Sequence, residues 1–138
     1  MAELSQYDLK GLTILVVEDD ADARELVEWW LRACGATVHA ADSALAALAL
    51  LDRQTPDVMV SDIAMPEHDG YELVRVVRSL RDPGKRRVPA IAVTAHSSER
   101  DRARAFDAGF NLHLAKPVPP ERLVEAVSQL ARSAQHLN

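Results

Sequence analysis

Six polar side chains stand where short apolar runs end, and their types define a chemistry. Glu18, Asp19 and Asp20 follow the run Leu12–Val17, Asp62 follows Val58–Ser61, Thr94 follows Ala90–Val93, and Lys116 follows Leu112–Ala115. Carboxylates drawn to one point repel one another, so either one of them keeps a proton with a raised pKa or a cation sits among them. Hard oxygen donors with no cysteine or histidine pair beside them suit Mg²⁺ or a similar ion. A hydroxyl and a lysine facing the same point supply donors for an anion. Together these groups make a phosphoryl site, in which metal and lysine neutralise oxygens and a carboxylate oxygen attacks phosphorus.

Such a site forms only if the apolar runs are neighbouring strands of one sheet. The runs at Leu12–Val17, Thr37–Ala40, Val58–Ser61, Ala90–Val93 and Leu112–Ala115 are short and β-branched or apolar throughout, as strands buried on both faces are. Between them lie segments of helical period. The first has Leu26, Val27, Trp30, Leu31 and Cys34 on one face, with Gly35 suited to a left-handed C-terminal position. The second is capped from Asp42-Ser43 and runs to about Arg53 with Leu45, Leu48 and Leu51 inward. The third starts near Asp69, turns Leu73, Val77 and Leu80 inward and stops before Pro83-Gly84. Ser97 is placed to cap a fourth over 98–108, closed by Gly109. Pro119-Pro120 opens a fifth with Leu123, Val127 and Leu130 aligned. Residues 1–8 and 133–138 are mostly polar and read as loose ends. Five strands alternating with five helices predict an α/β fold, a parallel sheet covered on both faces. In such sheets the site lies beyond the C-terminal strand ends, where the strand order reverses.

Composition narrows the class. At 138 residues the chain has the size of one domain, 1–138. An apolar fraction of 48% argues against disorder. The longest apolar run, Ala44–Leu51, is eight residues, against the roughly 18 that a membrane helix needs. Lacking an apolar leader and holding a single cysteine, Cys34, the chain is expected to be cytoplasmic, with neither disulfide nor cysteine zinc site. Residues 1–70 carry 4 basic and 14 acidic side chains, and residues 71–138 carry 12 and 7. The basic excess is spaced along helical segments, and the two Phe, two Trp and two Tyr make a poor stacking platform, so nucleic acid is not expected as a partner. Asp20 and Asp69 read as helix caps, Cys34 as a small buried hydrophobe, and Gly70 and Gly109 as backbone-conformation residues. Adjacent Trp29 and Trp30 point roughly 100° apart on a helix, which places Trp30 on the core face and Trp29 outside with Glu25 and Arg32.

Taken in order, Val16-Val17-Glu18-Asp19-Asp20, Val60-Ser61-Asp62-Ile63-Ala64-Met65-Pro66, Asp69-Gly70, Ala92-Val93-Thr94-Ala95, Ala108-Gly109 and Lys116-Pro117 resemble the receiver domains of two-component response regulators. The likeness is collinear over a core of about 12–131. It implies a flavodoxin-like doubly wound (βα)5 fold with strand order 2-1-3-4-5. It implies that Asp62 accepts a phosphoryl group from a phosphohistidine on a histidine kinase or histidine phosphotransfer domain. Mg²⁺ would be held by Asp19 directly, Glu18 through water, Asp62 and the Ala64 backbone carbonyl. Thr94 and Lys116 would each take a phosphoryl oxygen, and the Lys116–Pro117 bond is expected to be cis. Phosphorylation adds roughly −1.5 to −2 charge, which gives Thr94 and its loop reason to move inward and switch a protein-binding surface. The resemblance also implies no enzyme activity beyond the domain's own phosphorylation and dephosphorylation. Leu9-Lys10-Gly11-Leu12 resembles the lead-in to receivers of hybrid kinases, and no output domain fits after about residue 132.

Two positions depart from the family. His113 stands where Tyr or Phe is usual, which puts an aromatic switch in question. Ala64 brings no side chain to guide water to an acyl phosphate, a role that His96, two residues after Thr94, is positioned to share or oppose. Two rivals remain. One is a phosphatase or dehalogenase with an aspartate nucleophile, which would want a second carboxylate at position 64. The other is a receiver-shaped interaction module that is never phosphorylated.

Overall fold

A computed structural model describes residues 6–136. Its elements in chain order are β1 (Thr13–Val17), α1 (Ala21–Ala33), β2 (Thr37–Ala41), α2 (Ala44–Arg53), β3 (Val58–Asp62), α3 (Gly70–Arg78), α4 (Pro83–Arg86), β4 (Ala90–Thr94), α5 (Glu99–Ala108), β5 (Leu112–Ala115) and α6 (Pro120–His136). The strands form one parallel sheet in the order β2-β1-β3-β4-β5, as expected.

The alternation of side chains along each strand builds two cores. Ile14 and Val16, Val58 and Val60, and Ile91 and Val93 point to one face, where Leu31 of α1 and Leu123, Val124 and Val127 of α6 cover them. Leu15, Val17, Met59, Ala90 and Ala92 point to the other, against Ala44, Ala47 and Leu51 of α2, Leu73, Val74 and Val77 of α3, and Ala105 and Ala108 of α5. β3 and β4 are buried along their whole length, which is why these strands carry almost no polar residue before their last positions.

Caps set the helix starts. Asp20, Ser43 and Asp69 each accept a backbone N–H of the first turn of α1, α2 and α3. The fourth predicted helix is capped by Ser98 rather than Ser97. Ser98 Oγ accepts from Asp101 N at 3.1 Å, and Asp101 Oδ2 accepts from Ser98 N at 3.3 Å, a reciprocal box that only this register allows. Among the described residues six helices stand where five were expected, because Asp82 caps a single turn with Pro83 at its start. The inward faces also differ in phase. Leu45 is 60% exposed and Leu26 50%; α2 instead turns Ala44, Ala47 and Leu51 to the sheet. Of the expected loose ends, residues 6–8 form no helix or strand and lead into Leu9, which is fully buried with its N–H on the Cys34 carbonyl at 2.8 Å, whereas residues 133–136 continue α6; residues 1–5 and 137–138 lie outside the described chain.

At the end of the sheet away from the strand C-termini, Arg78 acts as a hub. Its guanidinium donates to the carbonyls of Gly109 (3.0 Å), Arg86 (2.9 Å) and Val88 (2.7 Å) and to Asn111 Oδ1 (3.0 Å). Gly109 sits at φ +128°, and a Cβ there would lie 2.8 Å from Arg78 Cγ, so position 109 needs glycine for both conformation and space. Replacing Arg78 orphans several part-buried acceptors at about 1–3 kcal/mol each before relaxation. Arg78→Met is therefore expected to lower unfolding free energy by about 2–4 kcal/mol, with Arg78→Lys recovering only a minor part. Denaturant midpoints measure this, and a loss within about 0.5 kcal/mol, the scale of ordinary surface substitutions, would contradict the hub.

Candidate functional site

The strand order reverses at β1, whose neighbours are β2 and β3. Glu18 and Asp19 leave the end of β1, and Asp62 is the last residue of the adjacent β3. Carboxylate oxygens of Glu18, Asp19 and Asp62 lie within 4.8 Å of one another. Glu18 and Asp62 are buried, at 6% and 8% exposure, whereas Asp19 faces solvent. Lys116 follows β5, and its ammonium reaches across to Glu18 Oε1 at 2.8 Å and Asp62 Oδ2 at 3.5 Å. The Lys116–Pro117 bond is cis, as expected.

Main-chain donors hold the remaining oxygens. Asp62 Oδ1 accepts from Ile63 N at 2.7 Å, and Glu18 Oε2 from Asp20 N at 3.3 Å. Thr94 ends β4 one position beyond the Asp62–Val93 register pair and is fully buried. Its hydroxyl accepts from His96 N at 3.1 Å, and its carbonyl accepts from Lys116 N at 2.9 Å. The Thr94 strand thus lies between those of Asp62 and Lys116. Ala64 lies in the exposed loop after β3.

The electrostatics follow from this crowding. Partial burial, then the adjoining Glu18 carboxylate, hold the Asp19 carboxyl above its ordinary value. For Lys116, burial pulls the pKa down, but the hydrogen bond with Glu18 and the charges of Asp62 and Glu18 outweigh it and raise it. The ammonium therefore stays charged through the neutral range, and its stabilising contribution fades only above the usual lysine value. Three hard-oxygen acids so close together are a donor set that suits a small divalent cation, directly or through its waters.

The other polar residues fall away from this point. Asp20 and Asp69 cap helices. His68 pairs with Glu72 at 2.9 Å, Cys34 is buried, and the His96 ring is exposed. His113 is buried at 9% exposure, and its Nε2 meets the His96 carbonyl at 3.2 Å. A carbonyl only accepts, so that nitrogen carries the hydrogen. Gly70 has no positive φ; a Cβ there would stand 2.5 Å from the Asp62 carbonyl, so α3 needs glycine to start so close to the end of β3. Sequence reasoning passed over Arg24, whose Nη1 donates to the Glu18 carbonyl at 2.9 Å. Its signal was position: helical side chains lean toward the N-terminus, here back toward the acidic pair.

The response regulator receiver domain family matches residues 14–128. The chain belongs to that family. It is 47% identical over 129 residues to an uncharacterized 14.6 kDa protein of the sodA1 3′ region in Leptolyngbya boryana, across 94% of this chain and 93% of that one. It is 35% identical to the response regulator MprA of Mycobacterium leprae, across 88% of this chain but only 51% of that protein. Among solved structures, the signal receiver domain of a signal transduction histidine kinase from Syntrophus aciditrophicus superposes with a TM-score of 0.82 at 30% identity, covering 91% of this receiver and 93% of that chain. This receiver is thus a module of two-component signalling. Among its described residues no helix is long and apolar enough to cross a membrane.

Because the Asp19 carboxyl is held above its usual value, its proton-linked stability is present below the unfolded value and lost as pH rises through the folded one. At neutral pH its charge therefore opposes folding. Like charges near 5 Å cost about 1 kcal/mol at solvent-like screening, and Asp19 is exposed enough for that screening to apply. Without divalent cation, Asp19→Asn should raise Tm at pH 7 by about 2–5 °C, the gain vanishing near pH 4. Saturating Mg²⁺ should narrow the gap by stabilising the wild type. A variant that melts lower at pH 7 would refute the repulsion.

Proposed function

We propose that Asp62 is the phosphoacceptor of this receiver, taking the phosphoryl group from a phosphohistidine on a histidine kinase or histidine phosphotransfer domain. An Asp62 carboxylate oxygen attacks phosphorus; an acyl phosphate bond forms as the phosphorus–nitrogen bond breaks, and the imidazole leaves with the electron pair. The observation that carries the reading is the single ammonium of Lys116, 2.8 Å from Glu18 and 3.5 Å from Asp62 at the reversal of strand order.

Each residue has a role that its chemistry supports. Asp19, Glu18, Asp62 and the Ala64 carbonyl would hold Mg²⁺, which when bound shields the approaching phosphoryl oxygens. Lys116 is placed to follow the new negative charge on Asp62. A hydroxyl donates one hydrogen and accepts two, so Thr94 can donate to a phosphoryl oxygen while still accepting from His96 N. Moving the hydroxyl then moves the β4–α5 loop and alters the surface of β4, α5 and β5. A phosphatase or dehalogenase reading fits less well, since position 64 has no carboxylate to serve as acid or base. The reading treats 1–138 as one receiver domain with its core at about 12–131, acting in the cytoplasm on its own aspartyl phosphate.

The partner surface in this reading is α1 with its adjoining groove. Ala23, Leu26, Val27, Trp30, Pro117 and Val118 line an apolar groove of about 420 Å³ that opens beside Glu18, Asp62 and Lys116. Trp29 stands beyond it, 55% exposed. A phosphohistidine must be presented at the groove's polar end, so the apolar stretch is where its carrier would rest.

Incubation with acetyl phosphate and Mg²⁺ should add one phosphoryl mass to the wild type and none to Asp62→Asn, with amide shifts confined mainly to β4, α5 and β5. Equal mass gain in Asp62→Asn would remove the assignment, and unchanged shifts would remove the switch. Trp29→Ala should slow transfer from a histidine phosphotransfer domain that serves the wild type by about tenfold, the loss of roughly 1.4 kcal/mol of contact. Acetyl phosphate labelling should be unaffected; equal slowing with both donors would take Trp29 out of the docking surface.

A further inference from the structure

We infer that Arg24 is the positioning residue of the Glu18–Asp19 pair, fixing the main chain from which both carboxylates project. Arg24 is the fourth residue of α1, and its guanidinium folds back over the loop that leaves β1. Nη1 donates to the Glu18 carbonyl at 2.9 Å and lies 3.5 Å from the Asp19 carbonyl. From the opposite side, Glu18 N donates to the Ala41 carbonyl of β2 at 3.0 Å. The Glu18 backbone is thereby held at both ends, by the sheet edge and by Arg24, while the Glu18 side chain is held by Lys116 and Asp20 N.

The Asp19 side chain pairs with no cation among the described residues and bonds locally, to the Glu18 side chain and its own backbone. It faces solvent, so its direction depends on the two carbonyl-bearing peptides that Arg24 grips. Among the ion pairs of the described residues Arg24 has none. Its Nη1 is directed instead to carbonyls behind the acidic cluster. Nη1 carries two N–H donors, so this one nitrogen can serve both carbonyls. Arg24 itself need touch neither a metal ion nor phosphorus; it acts through the residues that do.

The inference deepens the phosphoacceptor reading and rests on it, so the experiment separates the two. Calorimetric titration with Mg²⁺ alone is run on the wild type, Arg24→Met, Arg24→Gln and Arg24→Lys, with amide spectra to establish folding. Groups that orient metal ligands from behind are worth about 10–100-fold in affinity. Arg24→Met is expected to weaken Mg²⁺ binding at least tenfold and to shift the Glu18, Asp19 and Asp20 amides. Arg24→Lys should recover part of the affinity, and Arg24→Gln serves if Arg24→Met does not fold. Lowered Tm with Mg²⁺ affinity within twofold of wild type would mean a merely structural role and overturn the inference. If the wild type binds Mg²⁺ and takes one phosphoryl group while the folded Arg24 variants match it, only the role of Arg24 falls. If the wild type does neither, the phosphoacceptor reading falls and this inference with it.

Discussion

One ammonium shared by crowded carboxylates is the constraint on which this receiver is built. Lys116 pairs with Glu18 across 98 positions of sequence, and nothing local could bring them together. The parallel sheet does so, because right-handed crossovers return every strand in the same direction and so collect every strand's C-terminal residue at one rim. The reversal of order at β1 then opens a gap between α1 and the loop after β5. The acids sit in that gap with their charge only partly balanced. Folding places them there at a cost that apolar burial on both faces of the sheet must exceed, which is consistent with strands that are buried almost to their last residue.

Much of this was legible in the sequence, for a definite reason. Strands buried on both faces must be apolar throughout, so a polar residue at the end of a run stands out; Glu18, Asp62, Thr94 and Lys116 were conspicuous in this way. Strand order was not legible from periodicity, since all five runs look alike, and it came only with the family resemblance. Helix phase was partly misread. Large residues such as Leu26 and Leu45 attract attention as core, but α2 approaches the sheet through Ala44 and Ala47, whose small size allows close contact, and leaves Leu45 in solvent.

The long cations were the least visible. Arg78 and Arg24 both look like solvated helix residues in the one-dimensional pattern. Their targets are main-chain carbonyls, which every residue carries and no sequence marks. Arg78 ties α3 to the Gly109 turn and to the segment before β4, at the end of the sheet remote from the acids; Arg24 grips the loop at the near end. The ends of a doubly wound sheet are where backbone groups run out of ladder partners. A guanidinium with several fixed donors suits that deficit better than any other side chain.

The loop after β4 joins the acidic rim to the outer surface, and His113 makes this joint unlike an aromatic one. His96 is held twice, by its N–H on the Thr94 hydroxyl and by its carbonyl on His113 Nε2. An inward turn of Thr94 that carries His96 along must therefore either draw the buried imidazole after it or break its hydrogen bond. Leaving a buried donor without a partner costs about 1–3 kcal/mol, a barrier that a phenyl ring, with no such bond to lose, would not pose. If a phosphoryl group on Asp62 draws Thr94 inward, the loop would therefore have to carry the imidazole with it or give up that hydrogen bond.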